Sequence, residues 1–380
     1  MKTKNLIISV FILGFVFTLA FSPSIDFAQE EKIEKEKAEE KFTIPPEVKL
    51  VLAQGLTQRQ GRQDIPFFII KHLYLPAQEN IHSIFLFKMK NASLGFAPQA
   101  FSLVEKKPEE EKDVKKEEKE KEETAEEETP PATQTETPPV RLRANLNVFL
   151  QFHRLEKKEP VEVFKEVYIP LDLQAESTSY DPEKEEVYST AYPLPPGDYM
   201  MAMAITSIDL QKIGTLYYEF SLPDVRSFTE NLDTTPIFFA QKIKRMASPE
   251  LTAEVHKDFF TFSVLQVEPK IENVFSPGEN LDIFYFIFGA QPNEEGNYDI
   301  EVNYEVLKEE ENVIRFASTA YNFPFISQLL PMKRSVTIKS KDEEKQEKKD
   351  LEPGTYTFSL KIKDNVTGKT LDKSIDFEIK

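Results

Sequence analysis

The side chains best suited to hold a metal or move a proton near neutral pH are four histidines, His72, His82, His153 and His256, and no cysteine accompanies them. None stands at the short helical or strand spacing from another that zinc sites use. The absence of thiols removes disulfides, thiolate nucleophiles, Cys-ligated metals and a lipidated Cys together. A hairpin between His72 and His82 would bring that pair close, whereas each histidine alone reads as a packed or surface residue. Carboxylates are abundant, 65 in all, and two at the right separation in space perform glycoside hydrolysis whatever their spacing in sequence. Asp181, Glu183 and Glu186 are the candidates, in a charge-rich turn that reads as solvated. Gly368-Lys369-Thr370 looks like the end of a phosphate-binding loop, but Lys363 stands where the first glycine belongs and a strand follows where a helix is required. Neither a Gly-x-Ser-x-Gly elbow nor an Asp-x-Asp-x-Asp calcium loop occurs. No catalytic, cofactor-binding or metal residue is assigned, and no cofactor is expected.

The elements that would position any such group are strands. The chain of 380 residues is 40% hydrophobic, enough for two cores in domains of about 100–150 residues. Its aromatic residues are 31 Phe and 13 Tyr with no Trp, types that suit pleated, half-buried surfaces. Short apolar or alternating runs bounded by Pro, Asn, Gly or charge clusters predict strands over 65–75, 81–89, 144–152, 161–171 and 199–205. The second half repeats the pattern over 259–267, 281–288, 298–307 and 335–338. No amphipathic helix is expected, and residues 237–246 fit either period. The plainest alternation comes last: Tyr356, Phe358, Leu360 and Ile362 face one way, Thr357, Ser359, Lys361 and Lys363 the other. After the turn residues 364–368, Leu371, Ile375, Phe377 and Ile379 form a returning strand.

This terminal hairpin has a counterpart 157 residues earlier, since 356 minus 199 is 157. The offset matches Pro196 with Pro353, Gly197 with Gly354, Tyr199 with Tyr356, Ile205 with Ile362 and Phe220 with Phe377 without a gap. Pro sets φ for the second turn position and Gly accepts the positive φ that follows, so the chain reverses into the next strand. A Tyr two residues on suits the tyrosine corner of immunoglobulin-like sandwiches, with Met201 and Phe358 at the inward position that antibody domains give to cysteine. The turn and corner residues Pro196, Gly197, Tyr199, Pro353, Gly354 and Tyr356 are thus structural candidates.

Pro196-Gly197-Asp198-Tyr199, its partner Pro353-Gly354-Thr355-Tyr356 and the run Phe275-Ser276-Pro277-Gly278-Glu279-Asn280-Leu281 resemble β-sandwich regions of uncharacterised secreted bacterial proteins, where such regions accompany von Willebrand type A or GWxTD modules. The resemblance covers the two folded halves and implies an accessory immunoglobulin-like fold in an envelope or extracellular setting, with no reaction. The lack of Trp means that the GWxTD signature is absent, and the Asp-x-Ser-x-Ser metal motif of a type A module is absent too.

The expected fold class is all-β: two immunoglobulin-like antiparallel β-sandwich domains with charged, disordered inserts. Residues 1–28 read as a signal peptide or membrane anchor, because Lys2 and Lys4 precede an apolar stretch over 6–21 that is short for a membrane-spanning helix. Residues 29–41 form a Glu/Lys stalk. The first domain is 42–223 with a low-complexity insert at 105–139, a linker covers 224–235, and the second domain is 236–380 with a charged insert at 339–350. The net charge of −18 repels a phosphate backbone, so nucleic acid is not an expected partner. The chain is expected to be exported to a periplasmic, cell-envelope or extracellular location, touching membrane only through an uncleaved N-terminal segment. The expected function is a non-enzymatic structural or protein-interaction module whose partner is a protein or another envelope component. The alternatives are a carbohydrate-binding module, with Tyr180, Tyr188, Tyr192 or Tyr321 as a sugar platform, and an unrecognised hydrolase.

Overall fold

A computed structural model describes residues 43–77, 79–99, 140–224, 226, 228, 230–339 and 344–380. Residues 1–28, read above as a signal peptide or anchor, the stalk at 29–41 and the whole 105–139 insert lie outside the described residues. Ile44–Lys380 form one compact unit, and no described helix is long and apolar enough to cross a membrane.

Of the described residues 61% are strand and 6% helix. One α-helix occurs among the described residues, α1 (Pro46–Gln58), and it corrects the expectation that no amphipathic helix would form. Pro46 sits in the first turn, where its missing N–H leaves no bond unmade, and Arg59 closes the helix in the left-handed region at φ 51°. The buried stripe is only Val48, Leu52 and Gly55, too narrow to read as periodic in sequence. That stripe covers Phe149, Ala202 and Ala204 on the outer face of a sheet. Gly55 is obligatory there, because a Cβ would fall 2.2 Å from the Tyr217 hydroxyl.

Strands β1 (Phe67–Ala77), β2 (Asn80–Lys90), β3 (Ala97–Pro98), β4 (Arg141–Glu156), β5 (Glu159–Glu176), β6 (Glu185–Leu194), β7 (Gly197–Ser207) and β8 (Ile213–Leu222) make up the first half. Then come β9 (Asp233–Thr234), β10 (Phe238–Arg245), β11 (Val255–Lys257), β12 (Phe260–Phe262), β13 (Leu265–Pro269), β14 (Val274–Phe275) and β15 (Leu281–Phe288). The last are β16 (Ile300–Lys308), β17 (Glu311–Arg315), β18 (Thr319–Tyr321), β19 (Phe325–Leu330), β20 (Lys333–Lys339), β21 (Glu344–Asp350), β22 (Gly354–Asp364) and β23 (Thr370–Ile379).

Both halves follow one antiparallel plan. The order β1-β2-β6 recurs as β10-β15-β19, and β5-β4-β7-β8 recurs as β17-β16-β22-β23. In each half the two sheets bury one core between them, around Phe85, Leu150 and Met203 in the first and Tyr285, Val306 and Phe358 in the second. Strand β22 alternates buried and exposed residues along its length, whereas Tyr199 to Ile205 in β7 is buried on both faces because α1 covers the outer one. A third core joins the halves: Leu73, Leu75, Ile84 and Leu86 pack with Phe238, Phe260, Val267 and Phe284. Strand β11 also crosses over, pairing with β6 from Val255↔Thr190 to Lys257↔Tyr188.

Several local expectations need correction. Residues 259–267 are not one strand but the hairpin β12–β13, folded back at Ser263 with φ 53°. Residues 237–246 settle as the strand β10. Most of the charged insert at 339–350 is ordered strand: β21 pairs with β20 along its length, placing Lys333 opposite Asp350 and Lys339 opposite Glu344. A two-stranded ribbon satisfies backbone donors while its charges stay in water, so it needs no apolar face.

Candidate functional site

The repeated hairpin builds two matching corners. Tyr199 and Tyr356 lie opposite Phe220 and Phe377, and each ring stacks on its partner at 20°, with centroids 5.5 and 5.6 Å apart. The Tyr199 hydroxyl donates to the Pro195 carbonyl at 2.8 Å and that of Tyr356 to the Glu352 carbonyl at 2.7 Å, four residues back in both cases. Gly197 and Gly354, in the turns begun by Pro196 and Pro353, share φ 148°, a conformation that side chains disfavour. A cation lies over each tyrosine, Arg154 at 5.9 Å and Lys308 at 5.3 Å. With hydroxyls committed and rings buried, these corners hold the fold and face no ligand.

The histidines do not gather. His72 lies opposite Phe85 and His82 opposite Leu75, so the hairpin does not bring the pair together. His72 stacks on Phe85 at 4.8 Å and meets Phe220 edge-on at 4.8 Å inside the first core. Burial lowers its pKa to about 4, and Nε2 is buried without a partner. His82 Nε2 contacts the Thr261 carbonyl at 3.2 Å. Burial pulls both His82 and His153 below the ordinary imidazole value. His256 Nε2 sits 2.9 Å from Glu250 Oε2, and Glu254 joins them: one ligand atom from each of the three lies within 4.8 Å of the others.

The three carboxylates of the charged turn take separate roles. Asp181 accepts the Glu183 backbone N–H at 2.9 Å, and Glu183 pairs with Lys90 at 2.5 Å. Glu186 is not solvated: it is buried, and pairs with Lys184 at 3.0 Å and with Lys257. Burial alone would raise its pKa, but the hydrogen bonds from Lys257 and Lys184 outweigh that and hold it below the ordinary glutamate value. Beside it, burial first and the Glu186 and Asp258 charges second push Tyr188 upward. Glu186 opens onto a cleft of about 570 Å³, walled by Asn91, Arg141, Gln174 and Tyr180. Tyr180 leans on Phe96 at 5.1 Å, and the Asn91 amide oxygen is buried without a partner. Of the other tyrosines considered for sugar stacking, Tyr188 is buried, Tyr192 stacks on Phe152, and Tyr321 joins a hydroxyl chain with Tyr304 and Gln328. Gly368 closes the β22–β23 turn by donating its N–H to the Asp364 carbonyl at 2.7 Å, which is hairpin geometry with no helix to face a phosphate.

Strand β5 is a long edge strand. Among the described strands it bonds to β4 alone, so its outer edge is unpaired along 18 residues. Val167, Ile169, Leu171 and Leu173 anchor one face in the first core. Closer to the hairpin tip the strand is open, and Val161, Val163 and Phe164 are 55%, 45% and 38% exposed. Arg154 lies over the Phe164 ring at 4.9 Å. Pro160 and Pro170 fit an edge strand, where a missing N–H breaks no interior ladder.

No sequence motif marks the cleft or the Glu250–Glu254–His256 group, which the fold alone assembles. The exposed apolar residues of β5 do stand in the sequence as an alternating run, but alternation does not reveal which positions lack a covering sheet. No protein-family model matches the chain, and no curated protein matches it.

Proposed function

We propose that this chain is an exported, non-enzymatic structural or protein-interaction protein of the cell envelope, built from two immunoglobulin-like sandwich domains, and that it binds an extended segment of a partner protein along β5. The observation that carries this reading is the open outer edge of β5, long, apolar at its tip and bonded on one side only. An unpaired edge offers a row of backbone donors and acceptors to an added strand, and side-chain contacts on alternate positions supply specificity. The matching three-plus-four strand plan of the halves and their tyrosine corners support the immunoglobulin-like assignment. Export rests on Lys2, Lys4 and the apolar stretch that follows.

The test is capture from an envelope fraction with the wild-type chain and with the double variant Val161→Lys, Val163→Lys. Both positions are exposed, so stability stays within about 0.5 kcal/mol. The variant is expected to lose the co-purifying protein, and β5 amides of the wild type are expected to gain exchange protection when that protein binds. Identical capture by both, or hydrolysis of a model substrate by the pure chain, rules against the proposal.

A carbohydrate-binding reading has one observation of its own, the cleft that sets Tyr180 beside Asn91 and Gln174. Saturable binding on a glycan array that Tyr180→Ala abolishes would favour it over strand addition.

A further inference from the structure

Residues 247–254 run between β10 and β11 without regular structure, and Glu250 among them reaches Thr261 of β12, close in sequence to where β11 pairs with β6. At that place Ser189 of β6 donates to the Phe259 carbonyl at 2.5 Å, and Thr261 of β12 donates its hydroxyl to Glu250 Oε2 at 2.7 Å. The His256 ring stacks on Phe259 at 4.6 Å and 24°, and its side chain is only 11% exposed, so the imidazole is held in one orientation. Its Nε2 faces Glu250 Oε2, and the Glu254 carboxylate comes within 4.8 Å of both. Among the described residues this is the one group of three such donors close enough to hold an ion, and His256 is the one basic side chain in ion-pair contact with either glutamate. Two carboxylates side by side repel one another unless a cation lies between them.

We propose that Glu250, Glu254 and His256 form a binding site for a divalent transition-metal ion of the zinc type, which pins residues 247–254 to β11 and β12. Zinc bonds to nitrogen and carboxylate oxygen of about 2.0–2.2 Å at tetrahedral angles set donors roughly 3.3 Å apart. The His256–Glu250 separation of 2.9 Å needs to open by only a few tenths of an ångström. Glu254 supplies the remaining movement, and as an exposed side chain with three free torsions it moves without disturbing a core. Three protein donors leave a fourth position for water. The imidazole decides the class of ion, since calcium and magnesium take oxygen ligands whereas zinc and its neighbours accept nitrogen. Thr261, by bonding Glu250, orients that ligand in the manner of outer-shell partners of metal sites.

The experiment uses the purified full chain after chelator treatment, titrated calorimetrically with zinc chloride and separately with calcium chloride. One zinc per chain is expected, with a dissociation constant below about 100 µM, together with a rise in thermal midpoint. Glu254→Gln and His256→Gln are each expected to weaken zinc binding by at least about tenfold. Glu254 is exposed and accepts only a long hydrogen bond from Thr252 at 3.5 Å, so its variant is expected to keep the wild-type circular dichroism, and loss of binding in that variant reads on the site and not on folding. Failure to find a one-to-one isotherm, equal zinc affinity in wild type and Glu254→Gln, or calcium binding as tight as zinc at these residues would overturn the proposal.

Discussion

The two halves share strand order, hairpin register and corner geometry, and one edge and one core position are among the places where they part company. In the first half the strand beyond β4 is β5, 18 residues long and apolar at its exposed end; in the second the place beyond β16 is shared by β17, five residues long with Arg315 held by Glu305 at 2.8 Å, and the three-residue β18. In the first core His72 packs on Phe220, while in the second Phe239 packs on Phe377, 6.2 Å away. The corner and inward residues are therefore what the plan requires, and the places where the halves differ are where one of them carries something extra.

The largest effects should come from what the halves share. Met201 and Phe358 occupy equivalent inward positions, and both are fully buried. Met201→Ala is expected to cost about 2–5 kcal/mol and Phe358→Ala about 3–5 kcal/mol by urea unfolding. A loss below 1 kcal/mol at either would break the equivalence.

Next comes the core position at which they differ. Burial depresses the His72 pKa from 6.5 to about 4, so the unfolded chain binds the extra proton between those values. Its neutral form is favoured above pH 6.5, and stability falls as pH drops from 6.5 toward 4, by on the order of 3 kcal/mol in total. His82 and His153 shift in the same direction. His72→Phe, which copies the second half, is expected to flatten that part of the pH profile; an unchanged slope would mean that His72 titrates normally.

The smallest expected effect sharpens the comparison most. Tyr199→Phe and Tyr356→Phe each remove one hydroxyl-to-carbonyl bond and should each cost about 1 kcal/mol. Unequal costs would show that one corner is supported by its surroundings, with Arg154 and Lys308 the first neighbours to substitute.

How much of this the sequence reveals depends on the range of the interaction. The alternation from Tyr356 to Ile362 is local, and the strand and its return after the turn at 364–368 follow from it directly, whereas the register that sets Tyr356 opposite Phe377 comes from the structure. Helix α1 escaped because its buried face is three residues wide and one of them is glycine. Strand β21 escaped because seven charged or polar residues with no apolar one among them look like a solvated run, although a solvated ribbon uses those residues equally well. The cleft joins Asn91, Arg141, Tyr180, Glu186 and Lys257, and no spacing rule links positions so far apart. Glu250 and His256 are near in sequence, but only the docking of residues 247–254 beside Thr261 turns their side chains together.

Strand β11 has one more implication. It is contributed from beyond residue 235 yet completes the β1-β2-β6 sheet, and Phe238, Phe260 and Phe284 shelter the back of β1 and β2. A recombinant fragment ending anywhere in 224–235 would leave β6 with a bare hydrogen-bonding rim and a greasy flank, and should clump in solution. The intact chain, for the same reason, should melt in one calorimetric peak instead of two.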